Sequence, residues 1–339
     1  MFKFPLAFNT FTIEDEKLIS KVFRGGYLTQ GKITQEYETK LSKYFNSKYA
    51  IAVNSGSSAN LLMICALIYS KIDTLRLKKG DEVIVPAVSW MTTYSPLIQM
   101  GLIPKVVDID LNTLNISIDA IKNAITKKTK CIFAVNLLGH PCEYNELLDI
   151  CEKNNLILLE DNCESMGAKY NSKFSGTFGL MASQSTYMSH HISTIEGGFI
   201  LTNNEYFRDL LVSLRSHGWA RDIDKDSKFY IENININNFD YLPDDFLFLL
   251  PGFNLRTTEI NSQLGISQLP KLKEIISKKR DLSKEFSLIL EKHKNLFSTQ
   301  IDKYHSSCFG FPIIAKERRN KDLLKIELEK HGFQTRPIV

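Results

Sequence analysis

Five short apolar runs, at residues 49–53, 82–85, 105–107, 131–135 and 156–160, alternate with stretches of helical spacing at 59–69, 91–99, 118–125 and 144–154. Runs that are apolar at successive positions suit strands buried on both faces. Alternation with helices predicts an α/β fold, a mostly parallel sheet with helices on both sides. Ligands of such sheets bind beyond the carboxyl ends of the strands. The loops after these runs are therefore where functional residues should lie.

Two helices precede the pattern. Thr12 and Asp15 form a capping-box start for a helix through Ile13, Leu18, Ile19, Val22 and Phe23, which Gly25 and Gly26 end. A second covers 33–45. After 161 the pattern continues with a strand at 199–201, a helix at 205–216 and a long polar, Asn-rich loop at 222–245. Helices at 255–269 and 271–293 are separated by Pro270, and a strand at 308–314 and a helix at 321–331 follow. We expect a large domain over residues 1–250 and the start of a smaller α/β domain over 251–339. With no closing element after RPIV, the chain is expected to be truncated.

A net charge of +4 without a long basic block suits a small anionic substrate and gives no case for nucleic acid. No apolar run approaches the length of a membrane span. The start turns acidic and helical too soon for a signal peptide. Six cysteines without a CxxC pair point to a reduced, cytoplasmic protein.

Four segments fall where ligands should bind. NSGSSAN, at 54–60, joins a strand to a helix, and its Gly56, Ser57 and Ser58 either let backbone N–H groups approach a phosphate or form an ordinary capped turn. In LILLEDNCESMG, at 156–167, Asp161 follows an apolar strand. Its carboxylate either serves a ligand at the sheet edge or caps a helix. Trp90 either covers a ligand ring or sits in the core. STYMSHHISTIEGG, at 185–198, carries His190 and His191, with Ser185 as a phosphate ligand or a strand cap. A paired His is often only structural. If the pair lies on a strand, its side chains point to opposite faces and do not share a metal ion, so no metal site is expected.

Together these segments resemble the DegT/DnrJ/EryC1/StrS family of nucleotide-sugar aminotransferases, over nearly the whole chain. The resemblance implies the fold-type-I architecture of enzymes that use pyridoxal 5′-phosphate (PLP). It implies that Ser57 and Ser58 cradle the phosphate, Ser185 binds it, Trp90 stacks on the ring and Asp161 pairs with the pyridine nitrogen. Glu164 stands where a Gln is common, near the ring hydroxyl. GFNLR, at 252–256, matches a segment whose Asn, here Asn254, reaches the phosphate of the neighbouring subunit. A homodimer with composite sites follows from that. Its alternative is a plain turn before a helix.

One position departs from the family pattern. His190 stands where the family has the lysine that binds PLP covalently. An imidazole forms no stable imine but moves protons near neutral pH. This exchange resembles a branch that removes the C3 hydroxyl of a nucleotide-linked 4-keto-6-deoxyhexose, with GDP as the nucleotide by resemblance. Glutamate would supply nitrogen to form the amine cofactor, pyridoxamine 5′-phosphate (PMP), and ammonia would be released. Such a reaction belongs to deoxysugar and O-antigen synthesis. Residues 216–253 contain no cysteine, so no iron–sulfur cluster is expected. Arg336 either binds a substrate carboxylate or is a plain surface residue. Two rival readings stay open: a sugar aminotransferase working without the lysine, and a PLP-binding protein that has lost catalysis.

Overall fold

The computed structural model describes residues 2–7, 9–237 and 246–339. A seven-stranded sheet forms its centre: β1 (Tyr49–Val53), β2 (Glu82–Pro86), β3 (Ile103–Val107), β4 (Thr129–Val135), β5 (Ile157–Asp161), β8 (Met181–Ser185) and β9 (Gly198–Thr202). Their order is β1-β9-β8-β5-β4-β2-β3. β9 runs antiparallel to both neighbours, and the other strands are mutually parallel. The loops after β1, β2, β5 and β8 therefore share one edge. A small hairpin of β6 (Lys169–Tyr170) and β7 (Lys173–Phe174) lies between β5 and β8.

Successive strand residues point to opposite faces, which divides the core. Val53, Val85, Phe133 and Leu159 pack against α3 (Gly56–Tyr69), α4 (Met91–Gln99) and α7 (Glu205–Arg215). Ile84, Ile132 and Leu158 face α5 (Ile118–Ala124) and α6 (Tyr144–Asn154). Ala52 and Phe199 join α2 (Lys32–Phe45) through Tyr37, Leu41 and Phe45. α3 is apolar nearly all round because it lies between the sheet and two helices.

Before the sheet, Thr12 and Asp15 form a full capping box on α1 (Ile13–Gly25), and Gly26 ends it at φ +79°. Gly31 at the start of α2 offers no side-chain cap. Glu259 takes that role, accepting hydrogen bonds from the N–H groups of Gly31, Ile33 and Thr34 at 2.9 Å each and from the Thr34 hydroxyl. α9 (Glu259–Gln268) is thereby fastened to α2. Leu272 and Ile276 of α10 (Leu272–Glu291) join the same apolar cluster, so packing of the large body continues past residue 250.

Several elements differ from expectation. Within the expected loop at 222–245, α8 (Lys228–Asn237) forms, because Phe229 buries against Tyr206 of α7. Residues 238–245 of that loop lie outside the described residues. α9 starts at Glu259 rather than 255, where the Thr258 hydroxyl accepts the Asn261 N–H. Pro270 falls in a 3₁₀ turn between α9 and α10, a position that tolerates its missing N–H. The strand expected at 308–314 reduces to β11 (Ile314–Ala315), paired with β10 (Phe297–Ser298). Cys308 stands at φ +51°, which breaks extended geometry there. α11 (Arg318–Lys330) follows. His190 and His191 occupy turns after β8, not a strand, so the opposite-face argument about them does not apply.

Candidate active site

One end of the site is the first turn of α3. The Ser55 hydroxyl caps the helix by accepting the Ser58 N–H at 3.0 Å. A Cβ on Gly56 would lie 2.8 Å from Ser185 Cβ and 2.9 Å from Cys163 Sγ. Glycine is thus required where the loops after β5 and β8 meet this turn. First-turn N–H groups have no partner within a helix, and the dipole there favours an anion. Ser57 is exposed on this turn. The Ser58 hydroxyl is turned inward, donating to Asn54 Oδ1 at 2.6 Å and accepting from Ser55 at 2.9 Å, so only its backbone faces the cradle role expected of it. Ser185 Oγ is buried and accepts the Tyr187 N–H at 3.3 Å, which leaves its own proton to donate.

Asp161, the last residue of β5, is buried at the same edge. Its Oδ2 accepts from Asn60 Nδ2 and Thr93 Oγ1, both at 2.8 Å. Its Oδ1 accepts the Cys163 N–H at 3.2 Å and the Ser183 hydroxyl at 3.4 Å. Four donors hold a buried carboxylate ready to face a cationic or N–H group. Trp90 immediately precedes α4 and is 58% exposed, which removes the core alternative. Thr93, on the first turn of that helix, reaches Asp161, so Trp90 stands beside the carboxylate's own support.

The loop that carries the histidines is tied down at both ends. Thr186 and Thr194 share a hydroxyl hydrogen bond at 2.6 Å, and Asn261 Nδ2 donates to the carbonyls of Thr194 and Glu196. The His190 ring lies 5.1 Å from the Phe309 ring and 6.1 Å from that of Tyr187. Burial, then the positive charges of Arg336 and Lys279, push its pKa down to about 4. The neutral imidazole is therefore the favoured form at pH 7. Its Nδ1 is buried without a partner among the described residues. His191 differs. Its Nε2 lies 3.0 Å from the Ser307 carbonyl, which can only accept, so that nitrogen carries the proton. Burial and Lys279 hold its pKa at about 3. His191 is fastened to Ser307 through Nε2, while its Nδ1, like that of His190, has no partner among the described residues.

Glu164 Oε2 accepts the Leu138 N–H at 3.0 Å, and its Oε1 lies 3.5 Å from Arg336. Burial raises its pKa to about 7 against the pull of that N–H and of Arg336. Arg336 thus reaches Glu164 although its side chain remains 41% exposed. Asn254 is exposed, and the neighbouring Leu255 carbonyl accepts the Asn54 N–H at 3.0 Å, which places GFNLR beside the first turn of α3. Asn60, Thr93, Phe309 and Lys279 were missed by sequence reasoning. Asn60 alone carried a signal, as the last residue of NSGSSAN.

A groove of about 1180 Å³ lies elsewhere, between α1, α2 and α7. Glu38 and Arg215 in its wall pair with each other, as do Arg221 and Asp222, and Lys21, Lys32 and Lys48 also line it. The residues at the sheet edge fit a pyridine phosphate instead. They offer an anion cradle that a Cβ would fill, a buried carboxylate with its donors in place, and an imidazole where a covalent link would need an amine.

Comparison with known proteins gives the same grouping. A GDP-4-keto-6-deoxy-D-mannose 3-dehydratase of Escherichia coli O55:H7 is 46% identical over 342 residues, which span 100% of this chain and 86% of the relative. A solved structure of the E. coli 3-dehydratase with bound hydrated PLP superposes with a TM-score of 0.90 at 44% identity, covering 100% of this chain and 86% of the other. A structure of a GDP-4-keto-6-deoxymannose-3-dehydratase with a trapped PLP–glutamate geminal diamine gives the same TM-score, 0.90, at 44% identity, covering 99% and 86%. The profile of the DegT/DnrJ/EryC1/StrS aminotransferases matches residues 10–339, and the chain belongs to that family.

Proposed function

We propose that this protein is a PLP-dependent 3-dehydratase of a nucleotide-linked 4-keto-6-deoxyhexose, GDP-4-keto-6-deoxy-D-mannose by its relatives, with glutamate as amino donor. The observation that carries this reading is His190, a neutral imidazole at the position where the family's aminotransferases need a lysine.

When bound, the cofactor supplies an electron sink and, in its amine form, the nitrogen that takes up the sugar's C4 ketone. The protein does the rest. The N–H groups at the start of α3 and the Ser185 hydroxyl bind phosphate. Asp161 holds the proton on the ring nitrogen. His190 takes a proton at the cofactor's C4′ carbon and returns it to the hydroxyl leaving C3, which departs as water. Arg336 offers a cation to the carboxylate of glutamate, and hydrolysis of the sugar imine releases ammonia.

Two further features belong to this reading. Asn254, exposed beside the α3 turn, supports a homodimer in which each subunit completes its partner's phosphate site. Six free thiols, five of them buried, support a reducing, cytoplasmic setting. Among the described residues no helix is long and apolar enough to cross a membrane. The test is incubation with PLP, glutamate and a panel of 4-keto-6-deoxy nucleotide sugars, with products read by mass spectrometry. A 3-deoxy ketosugar with free ammonia supports the reading. An amino sugar identifies an aminotransferase, and absence of 2-oxoglutarate identifies a protein without catalysis.

A further inference from the structure

We propose that Asn60 and Thr93 are positioning residues for Asp161, holding its carboxylate so that the proton it shares with the cofactor stays on the ring nitrogen. The inference rests on the PLP reading of the site.

Both side chains are buried, Asn60 at 1% and Thr93 at 0% exposure. They reach the same oxygen, Asp161 Oδ2, at 2.8 Å each, from two different helices. The bonds to Oδ1 are longer, at 3.2 and 3.4 Å. A carboxylate only accepts, so the Thr93 hydroxyl must donate to it. Ser89 Oγ, 2.7 Å from Thr93 Oγ1, must then donate to Thr93. The result is a chain of donors, Ser89 to Thr93 to Asp161, in which each bond polarises the next. Asn60 Nδ2 closes the other side and also reaches the Thr92 carbonyl at 3.3 Å, which fixes its amide orientation.

The chemical consequence follows from where one proton sits. Between a carboxylate and a pyridine nitrogen it can rest on either partner. Donors to the charged carboxylate favour the arrangement with the proton on nitrogen. Without them a buried carboxyl sheds its charge by taking the proton. The ring would then be neutral and a weaker electron sink. Asn60 and Thr93 act through Asp161 and are required for no contact with substrate. A purely architectural role, joining α3 to α4, would leave the ring's protonation unchanged.

The test uses PLP labelled with ¹⁵N in the ring, bound to full-length protein, with the ring-nitrogen shift read by NMR at neutral pH. Thr93→Val keeps volume and removes the hydroxyl; Asn60→Leu removes the amide; Thr93→Ser restores the donor. The wild type and Thr93→Ser should show a protonated ring nitrogen. The Asn60→Leu/Thr93→Val double variant should move toward the unprotonated position. Its 2-oxoglutarate formation from glutamate should fall about tenfold or more, the scale of a lost charge-assisted hydrogen bond, with KM for glutamate unchanged. If the double variant does not fold, Thr93→Val alone is read in the same way. A folded, PLP-loaded Thr93→Val with a wild-type nitrogen shift overturns the proposal, as does a Thr93→Ser indistinguishable from a shifted Thr93→Val. Wild-type protein that binds no PLP overturns the reading of the site as well.

Discussion

Arg336 Nη2 lies 3.5 Å from Glu164 Oε1, joining the segment after α11 to the loop after β5 at the edge of the candidate site. The pair is only partly shielded, with side chains 41% and 15% exposed, so the guanidinium offsets only part of the cost of burying the carboxylate. Glu164 accordingly stays near pKa 7, above its ordinary value of 4.5.

A carboxyl whose pKa is raised in the fold favours its protonated form there. Its contribution to stability is full below pH 4.5 and is lost as pH rises through about 7. Glu164→Gln stays neutral throughout. Its stability relative to wild type should rise between those two pH values and level off above them. Urea unfolding of both proteins across that range checks this, and a gap that does not vary with pH would remove the raised pKa.

Phe309 forms an apolar wall 5.1 Å from the His190 ring. Phe309→Ala admits water and should raise the imidazole pKa from about 4 toward its ordinary 6.5, despite the remaining positive charges of Arg336 and Lys279. The neutral form is the base, so activity below pH 6.5 should fall while the rate at pH 8 changes less. The acid limb of the kcat profile measures this. An unmoved limb would show that Phe309 does not set the histidine's environment.

Asp161→Asn should keep the fold and bind PLP but weaken the electron sink used in both halves of the reaction. Formation of 2-oxoglutarate from glutamate and dehydration of the sugar should both slow by orders of magnitude. Wild-type rates at full PLP occupancy would remove Asp161 from its role.

The parts of this site that were legible in the sequence are those set by a strand's end. Asp161 follows an apolar run, Gly56 follows another, and the sheet's topology puts both at one edge. His190 was legible because a resemblance supplied the residue it replaces. Contacts between distant segments were not. Thr93 meets Asp161 only because β2 and β5 flank β4, a strand order that local periodicity does not encode. Phe309 was hidden inside an expected strand that Cys308 breaks at φ +51°. The helix Lys228–Asn237 was masked by its asparagines, although Phe229 and Tyr230 supply its apolar side.

Borohydride treatment of the PLP-loaded wild type should leave no cofactor fixed to the 185–198 segment, because an imidazole forms no reducible imine. His190→Lys should gain such a fixed cofactor and dehydrate poorly, since its amine competes with the substrate amine for the same carbon. Peptide mass spectrometry distinguishes the two. A fixed cofactor in wild type at Lys279, whose pKa is lowered by burial, would move covalent attachment to that residue.

If His190 moves the proton in both halves of the reaction, His190→Asn should separate cofactor binding from turnover. PLP should still bind, since the contacts proposed for it lie at Gly56, Ser185 and Asp161. Formation of 2-oxoglutarate and loss of the sugar's C3 hydroxyl should both fall about 10²–10⁴-fold, the usual worth of a positioned acid–base group. Normal dehydratase turnover in a PLP-loaded His190→Asn protein would contradict the account.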